Sequence, residues 1–220
     1  MVLRKKYVTQ PTNIASYDYT DIAEGTGVQI FYGYDTDDGD NSFSYNLTGS
    51  TDLYSNNVYT SGSYIASGNG ESFNLNFDLT PFNTPRSVKG HIRAVIPWGF
   101  KLGVAGAGCS GSVTVRAVHY DGTTETLLVS GSTTWVKHTD TAGRYYFSTI
   151  DLDVATLQNF KKGDILRFNA IGKTDNVNAE AIMLSIAHSP TDTSGESAYQ
   201  VGTDLDSTKL GFHVPFNLDL

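Results

Sequence analysis

Apolar residues recur at every second position in several stretches of this 220-residue chain, and that period of two constrains the fold more than any other feature. The clearest run closes the sequence: Leu210, Phe212, Val214, Phe216, Leu218 and Leu220 are apolar, with Gly211, His213, Pro215, Asn217 and Asp219 between them. Successive side chains of a strand point to opposite faces, so one set lines a core while the other faces away from it. Phe73, Leu75, Phe77 and Leu79 alternate in the same way with Asn74, Asn76 and Asp78. So do Ile150, Leu152 and Val154 with Asp151 and Asp153, and Ile182, Leu184 and Ile186 with Met183 and Ser185. Each reads as a half-buried strand. Pro215 has no N–H to give to a ladder, which places the last strand at a sheet edge or at a bulge; the polar odd positions favour an edge where another subunit packs.

Further strands are expected over 28–34, 43–47, 58–65, 87–96, 112–120, 125–130, 133–136, 144–148 and 165–171, more than ten in all. Turn residues separate them. Asp121-Gly122 predicts a hairpin, because this pair readily takes the positive φ angles of a tight turn, and Asp38-Gly39, Gly68-Asn69-Gly70 and Lys162-Gly163-Asp164 are similar punctuation. One helical turn is expected over 154–160, apolar at Val154, Leu157 and Phe160 and ending in Lys161-Lys162-Gly163. With 22 Gly, 13 Tyr and only 17% charged residues, the chain suits many short strands joined by polar turns. The expected fold is therefore all-β, an antiparallel β-sandwich of jelly-roll type with at most one short helix. Residues 1–25 read as an N-terminal arm or extended lead-in, 26–220 as a single β-sandwich domain, and 189–206 as a long loop before the last strand.

Charge is unevenly placed. After Arg4, Lys5 and Lys6 no Lys or Arg occurs until Arg86, while that interval holds ten acids; the net charge is −8. Phosphate contact needs Lys and Arg clustered on one face, so this layout argues against nucleic-acid binding. It suits a basic arm, Arg4, Lys5 and Lys6, docking on an acidic neighbour such as another copy of the chain. The basic start has no apolar run behind it and no later stretch is long enough to cross a bilayer, so the expectation is a soluble chain made in a cytoplasm, with no membrane partner. Cys109 is the only cysteine, which leaves no intrachain disulfide.

Sequence motifs for chemistry fail on context. Gly106-Ala-Gly108-Cys-Ser-Gly111 has the letters of a dinucleotide loop, but it leads into the strand pattern of residues 112–117 where that loop must open a helix. Asp35, Asp37, Asp38 and Asp40 crowd one hairpin tip. An EF-hand counted from Asp35 would need Gly at position 40 and Glu at 46, where Asp40 and Asn46 stand, so a solvated acidic turn is preferred to a calcium site. His91, His119, His138, His188 and His213 show no metal-ligand spacing, and no Gly-x-Ser-x-Gly elbow is present. No catalytic residue, cofactor or metal is assigned, and the chain is read as a non-enzyme. The best recognition surface is the Tyr-, Ser-, Asn- and Gly-rich stretch 32–77, where Tyr45, Tyr54, Tyr59 and Tyr64 offer amphipathic rings. Trp98 and Trp135 could stack on a sugar, though core or strand-edge positions explain them more simply.

The basic arm, the Gly-, Ser-, Thr- and Asn-rich β pattern, the segment Phe160-Lys-Lys-Gly-Asp-Ile-Leu-Arg-Phe168 and the closing run Lys209-Leu-Gly-Phe-His-Val-Pro-Phe-Asn-Leu-Asp-Leu220 together resemble virion proteins of tailed bacteriophages and related viruses. Capsid decoration proteins, minor capsid proteins and fibre-head jelly rolls belong to this group. The resemblance carries no family site onto particular residues. It implies a virion protein assembled in the host cytoplasm, a capsid-associated homo-oligomer packing on copies of itself or on the major capsid protein. The alternative is a carbohydrate- or receptor-binding β-sandwich of a fibre or secreted assembly.

Overall fold

The computed structural model describes residues 15–16, 26–37, 43–53, 60–65, 70–102, 109–139, 141, 143–175, 182–191 and 208–217. Thirteen strands are present among them: β1 (Ala15–Ser16), β2 (Thr26–Asp37), β3 (Phe43–Thr48), β4 (Thr60–Ile65), β5 (Gly70–Asp78), β6 (Arg86–Leu102), β7 (Cys109–Tyr120), β8 (Glu125–Ser132), β9 (Val136–His138), β10 (Arg144–Phe160), β11 (Ile165–Asp175), β12 (Ile182–Ala187) and β13 (Gly211–Asn217). No helix occurs among the described residues. The fold is all-β and mostly antiparallel, and it is consistent with a β-sandwich.

Pairing sorts the strands into two layers. The first runs β4-β12-β6-β13-β2-β3, with β10 on the far edge of β6; the second runs β5-β11-β7-β8, with β9 also on β7. A single parallel bridge, Asn46 to Asp78, joins β3 to β5 and makes one sheet of the two layers. Side chains from both layers meet between them. Phe168 of β11 stacks on Phe212 of β13 with ring centroids 4.1 Å apart and planes 7° apart, both rings fully buried. Apolar burial of this kind is the main drive for closing the sandwich.

Alternation produced the expected faces in most strands. In β5, Phe73 and Phe77 are buried while Asn74 and Asn76 are exposed, and in β10, Ile150, Leu152 and Val154 are buried while Asp151 and Asp153 face solvent. β12 departs from the half-buried expectation, since it lies between β4 and β6 and all six of its residues are buried. The Asp121-Gly122 hairpin forms as expected: Gly122 has φ +94°, and the Asp121 carboxylate accepts the backbone N–H groups of Thr123 (2.9 Å) and Thr124 (2.7 Å). Gly163 has φ +95° in the second expected turn.

Two expectations are corrected. Residues 154–160 are strand and belong to β10. Val154 pairs with Gly90 and Gln158 with Val88, so Ala155, Thr156 and Leu157 bulge out of register, and the spacing of Val154, Leu157 and Phe160 is that of a bulge. The last strand is not at an edge: β13 is hydrogen-bonded to β2 on one side and β6 on the other. Pro215 fits there because its ladder to β6 breaks between His213 and Phe216. Opposite that break stands Gly90, at φ +105°, where an added Cβ would lie 3.7 Å from the Pro215 ring.

The core is tightly filled around Gly172. A Cβ on Gly172 of β11 would stand 2.3 Å from Phe73 Cε1 and 2.6 Å from Leu184 Cδ2, inside the buried core. Gly172→Ala should therefore lower stability by roughly 1–3 kcal/mol through overpacking, measured by urea denaturation; a variant as stable as the parent would show that the core gives way freely there.

Candidate functional site

A cleft opens where β3 and β5 part after their single bridge. Its formation follows from the chain beyond β5. Leu79 still donates its N–H to Leu166 O (3.1 Å), but Pro81 and Pro85 have no N–H and end the ladder. The intervening loop is pinned to the neighbouring turn: Phe82 N–H donates to Asp164 O (3.0 Å) and Gly163 N–H donates to Phe82 O (2.9 Å). That turn is itself braced, because Asp164 Oδ2 accepts the Lys161 N–H (2.7 Å) and lies 2.7 Å from His119 Nε2. The Lys161 amide, ahead of the opposing effect of burial, holds the Asp164 carboxyl below its usual pKa.

The cleft encloses about 350 Å³. Phe31, Phe82 and Phe216 form an edge-to-face set in its wall, with Phe31–Phe216 centroids 6.1 Å apart at 85° and Phe82–Phe216 centroids 6.0 Å apart at 81°. Uncharged polar side chains surround them, including half-buried Gln29, Tyr34 and Thr48 and exposed Asn83. Burial raises the Tyr34 phenol pKa, so its hydroxyl stays neutral as donor and acceptor. Arg86 is the one charged residue in the lining, and it makes no ion pair among the described residues.

A second polar cluster lies on the outward face of the second layer. Arg167 of β11 forks onto Asp78 of β5, Nε to Oδ1 at 2.6 Å and Nη2 to Oδ2 at 2.7 Å, hydrogen-bonds Glu125 and lies 4.3 Å from the centre of the Tyr120 ring. These partners, Asp78 foremost, raise the Arg167 pKa further. Three of its N–H groups are thus engaged and its face is covered by Tyr120, so it braces β11 against β5, β7 and β8 and serves as a structural cross-link.

Both layers end on the same side of the sandwich, in β8 and β10. Among the described residues β10 pairs with β6 alone and β8 with β7 alone. The two edges lie one over the other, since a Cβ on Gly131 of β8 would meet Ile150 and Leu152 of β10 within 2.8 Å. Leu127 of β8 and Phe147 and Leu157 of β10 are 48%, 54% and 42% exposed.

Of the residues singled out in the sequence, Arg4, Lys5, Lys6, Tyr54 and Tyr59 lie outside the described residues, as do Asp38 and Asp40. Tyr64 is a residue of β4, opposite Met183. Tyr45 is half-buried, with its ring 5.4 Å from both Phe77 and His188. Asp35 is buried in β2. Trp98 is fully buried, stacked on Tyr146 at 4.7 Å and donating to Ser148 Oγ at 3.0 Å, whereas Trp135 is exposed. Among the described residues no group of three or more His, Cys, Asp and Glu side chains gathers as a metal site would. The recognition stretch 32–77 contributes Tyr34, Leu47, Thr48 and Gly49 to the lining, whereas sequence reasoning missed Gln29, Phe82, Asn83 and Arg86. The only local signal was the pair of prolines flanking Phe82, and nothing linear connects that loop with Gln29.

The sequence matches no protein-family model and no curated protein. Among solved structures it is similar to an aminopeptidase from the marine sediment archaeon Thaumarchaeota archaeon, at 9% identity and TM-score 0.42 over 66% of this chain and 26% of that one. It is also similar to an α-amino acid ester hydrolase, at 10% identity and TM-score 0.44 over 82% of this chain and 36% of that one. A third likeness is to the T13 particle of infectious bursal disease virus, at 12% identity and TM-score 0.30 over 83% of this chain and 43% of that one. The chain thus spans less than half the length of each, and likeness at this level decides no activity.

Proposed function

We propose that the chain is a non-enzymatic virion structural protein, a capsid-associated β-sandwich of decoration or minor-capsid type that packs against copies of itself. The supporting observation is the side where β8 and β10 lie, since neither pairs with a further strand among the described residues. Unpaired strand edges are templates for further pairing, and soluble proteins blunt them with charge, Pro or a cover. Here the β8 and β10 edges lie together, and the same two strands carry Leu127, Phe147 and Leu157 exposed, beside which a second copy would pair. The sequence resemblance to virion proteins points the same way, and an acidic surface would keep densely arrayed subunits apart until they dock.

Light scattering tests the reading. The parent should show a mass that is a multiple of 23.8 kDa, and Leu127→Lys with Phe147→Lys should return it to one chain without changing its melting temperature, since both positions are exposed. A parent that stays monomeric at high concentration, or whose assembly ignores both lysines, would sink the proposal. The second reading, a carbohydrate- or receptor-binding sandwich, draws its support from the cleft.

A further inference from the structure

We propose that the cleft between β2, β3 and the loop after β5 binds a saccharide unit bearing a carboxylate, with Arg86 holding the acid group. The inference goes beyond an assembly role and stands independently of it. Pockets for small molecules are concave, largely pre-formed and apolar in part, with a few converging polar groups, and at about 350 Å³ this one falls in their usual size range. The Leu79–Pro85 loop is held in place before any ligand arrives by the Phe82–Asp164 and Gly163–Phe82 hydrogen bonds. Such preorganisation lowers the ordering cost of binding.

The chemistry of the lining selects the ligand. Half-buried Phe82 brings an aromatic ring to the lining, the kind of group that packs against the C–H bonds of a pyranose. Gln29 and Asn83 carry amides with no side-chain hydrogen-bond partner among the described residues, and Tyr34, Thr48, Thr80 and Thr84 add hydroxyls. A ligand with many hydroxyls matches that set better than a purely apolar one, because amides left unpaired under a ligand are costly. The single charge is decisive for class: Arg86 is cationic, unpaired among the described residues and faces no carboxylate in the lining, in a chain whose net charge is −8. A guanidinium fork accepts a carboxylate in bidentate fashion.

Titration with glucuronic acid, with glucose as the neutral control, followed by 15N-resolved amide shifts, tests the assignment. Glucuronate should move the amides of Asn83, Thr84 and Arg86 in a saturable way and bind about tenfold or more tightly than glucose, a preference that added salt erodes. Arg86→Gln should abolish that preference. Asn83→Asp, which adds a negative charge to the cleft, should weaken glucuronate more than it weakens glucose. Absence of saturable shifts at these residues, equal binding of the two sugars, or an Arg86→Gln variant that still prefers glucuronate would each overturn the proposal.

Discussion

A chain ended after Val214 should fail to fold. The deletion removes Pro215, Phe216 and Asn217 from the middle of a layer, where they pair with Val28, Gly27 and Thr26 of β2. Phe216 is buried against Phe31 and Phe82, and loss of a buried Phe side chain alone costs about 3–5 kcal/mol. Added to the broken ladder, that approaches or exceeds the roughly 5–15 kcal/mol by which a domain is usually stable. Phe212→Ala probes the same strand by one substitution, since it takes away one ring of the 4.1 Å stack that ties β13 to β11 across the core. Loss of the cooperative thermal transition is the expected readout. A truncated chain with an unchanged melting temperature would mean that β13 contributes little to the core.

The fold should also lose stability steadily as the solution is acidified below pH about 6.5, long before carboxylates protonate. His188, just after β12, is completely buried beside the rings of Tyr45 (5.4 Å) and Phe77 (5.9 Å), and burial pushes its pKa from 6.5 down to about 3. It stays neutral in the folded chain while the same side chain in the unfolded chain protonates. Between pH about 6.5 and about 3 the unfolded state therefore binds more protons, and the stability present at neutral pH falls by as much as ~1.4 kcal/mol per pH unit. His213, whose pKa burial and Arg93 depress, acts in the same sense. Asp164, held below the ordinary carboxylate value, adds a loss only in stronger acid, as pH drops through its folded pKa. Guanidinium unfolding at pH 7 and pH 4.5 measures the effect. His188→Gln should be less stable at pH 7 yet show a much smaller drop, and an equal drop in parent and variant would remove His188 from the explanation.

The period-two pattern was enough to establish an all-β fold and to say which side chains of β5, β10 and β13 face inward, because pleat geometry alone decides that alternation. The hairpin at Asp121-Gly122 and the turn at Gly163 were equally legible, since their positive φ angles are a local cost that specific residues relieve. Residues 154–160 misled for a physical reason: a bulge that sets Ala155, Thr156 and Leu157 opposite the single residue Lys89 leaves the same apolar spacing as one helical turn. Pro215 allowed an edge or a bulge, and only the neighbours decide between them. Gly90, far away in sequence, supplies the bulge that lets a proline sit inside a sheet.

Part of the cleft wall lay in the recognition stretch 32–77, but the cleft itself lay beyond sequence reading. Gln29 and Tyr34, Phe82 and Arg86, and Phe216 come from three separate stretches, and they converge because β13 inserts between β2 and β6 and because β3 and β5 meet at a single bridge before parting. Local rules determined strands, turns and inward faces, each of which depends on residues a few positions apart. Strand order, the buried environment of His188 and the company Arg86 keeps depend on which distant segments pack together, so tertiary structure alone settled them.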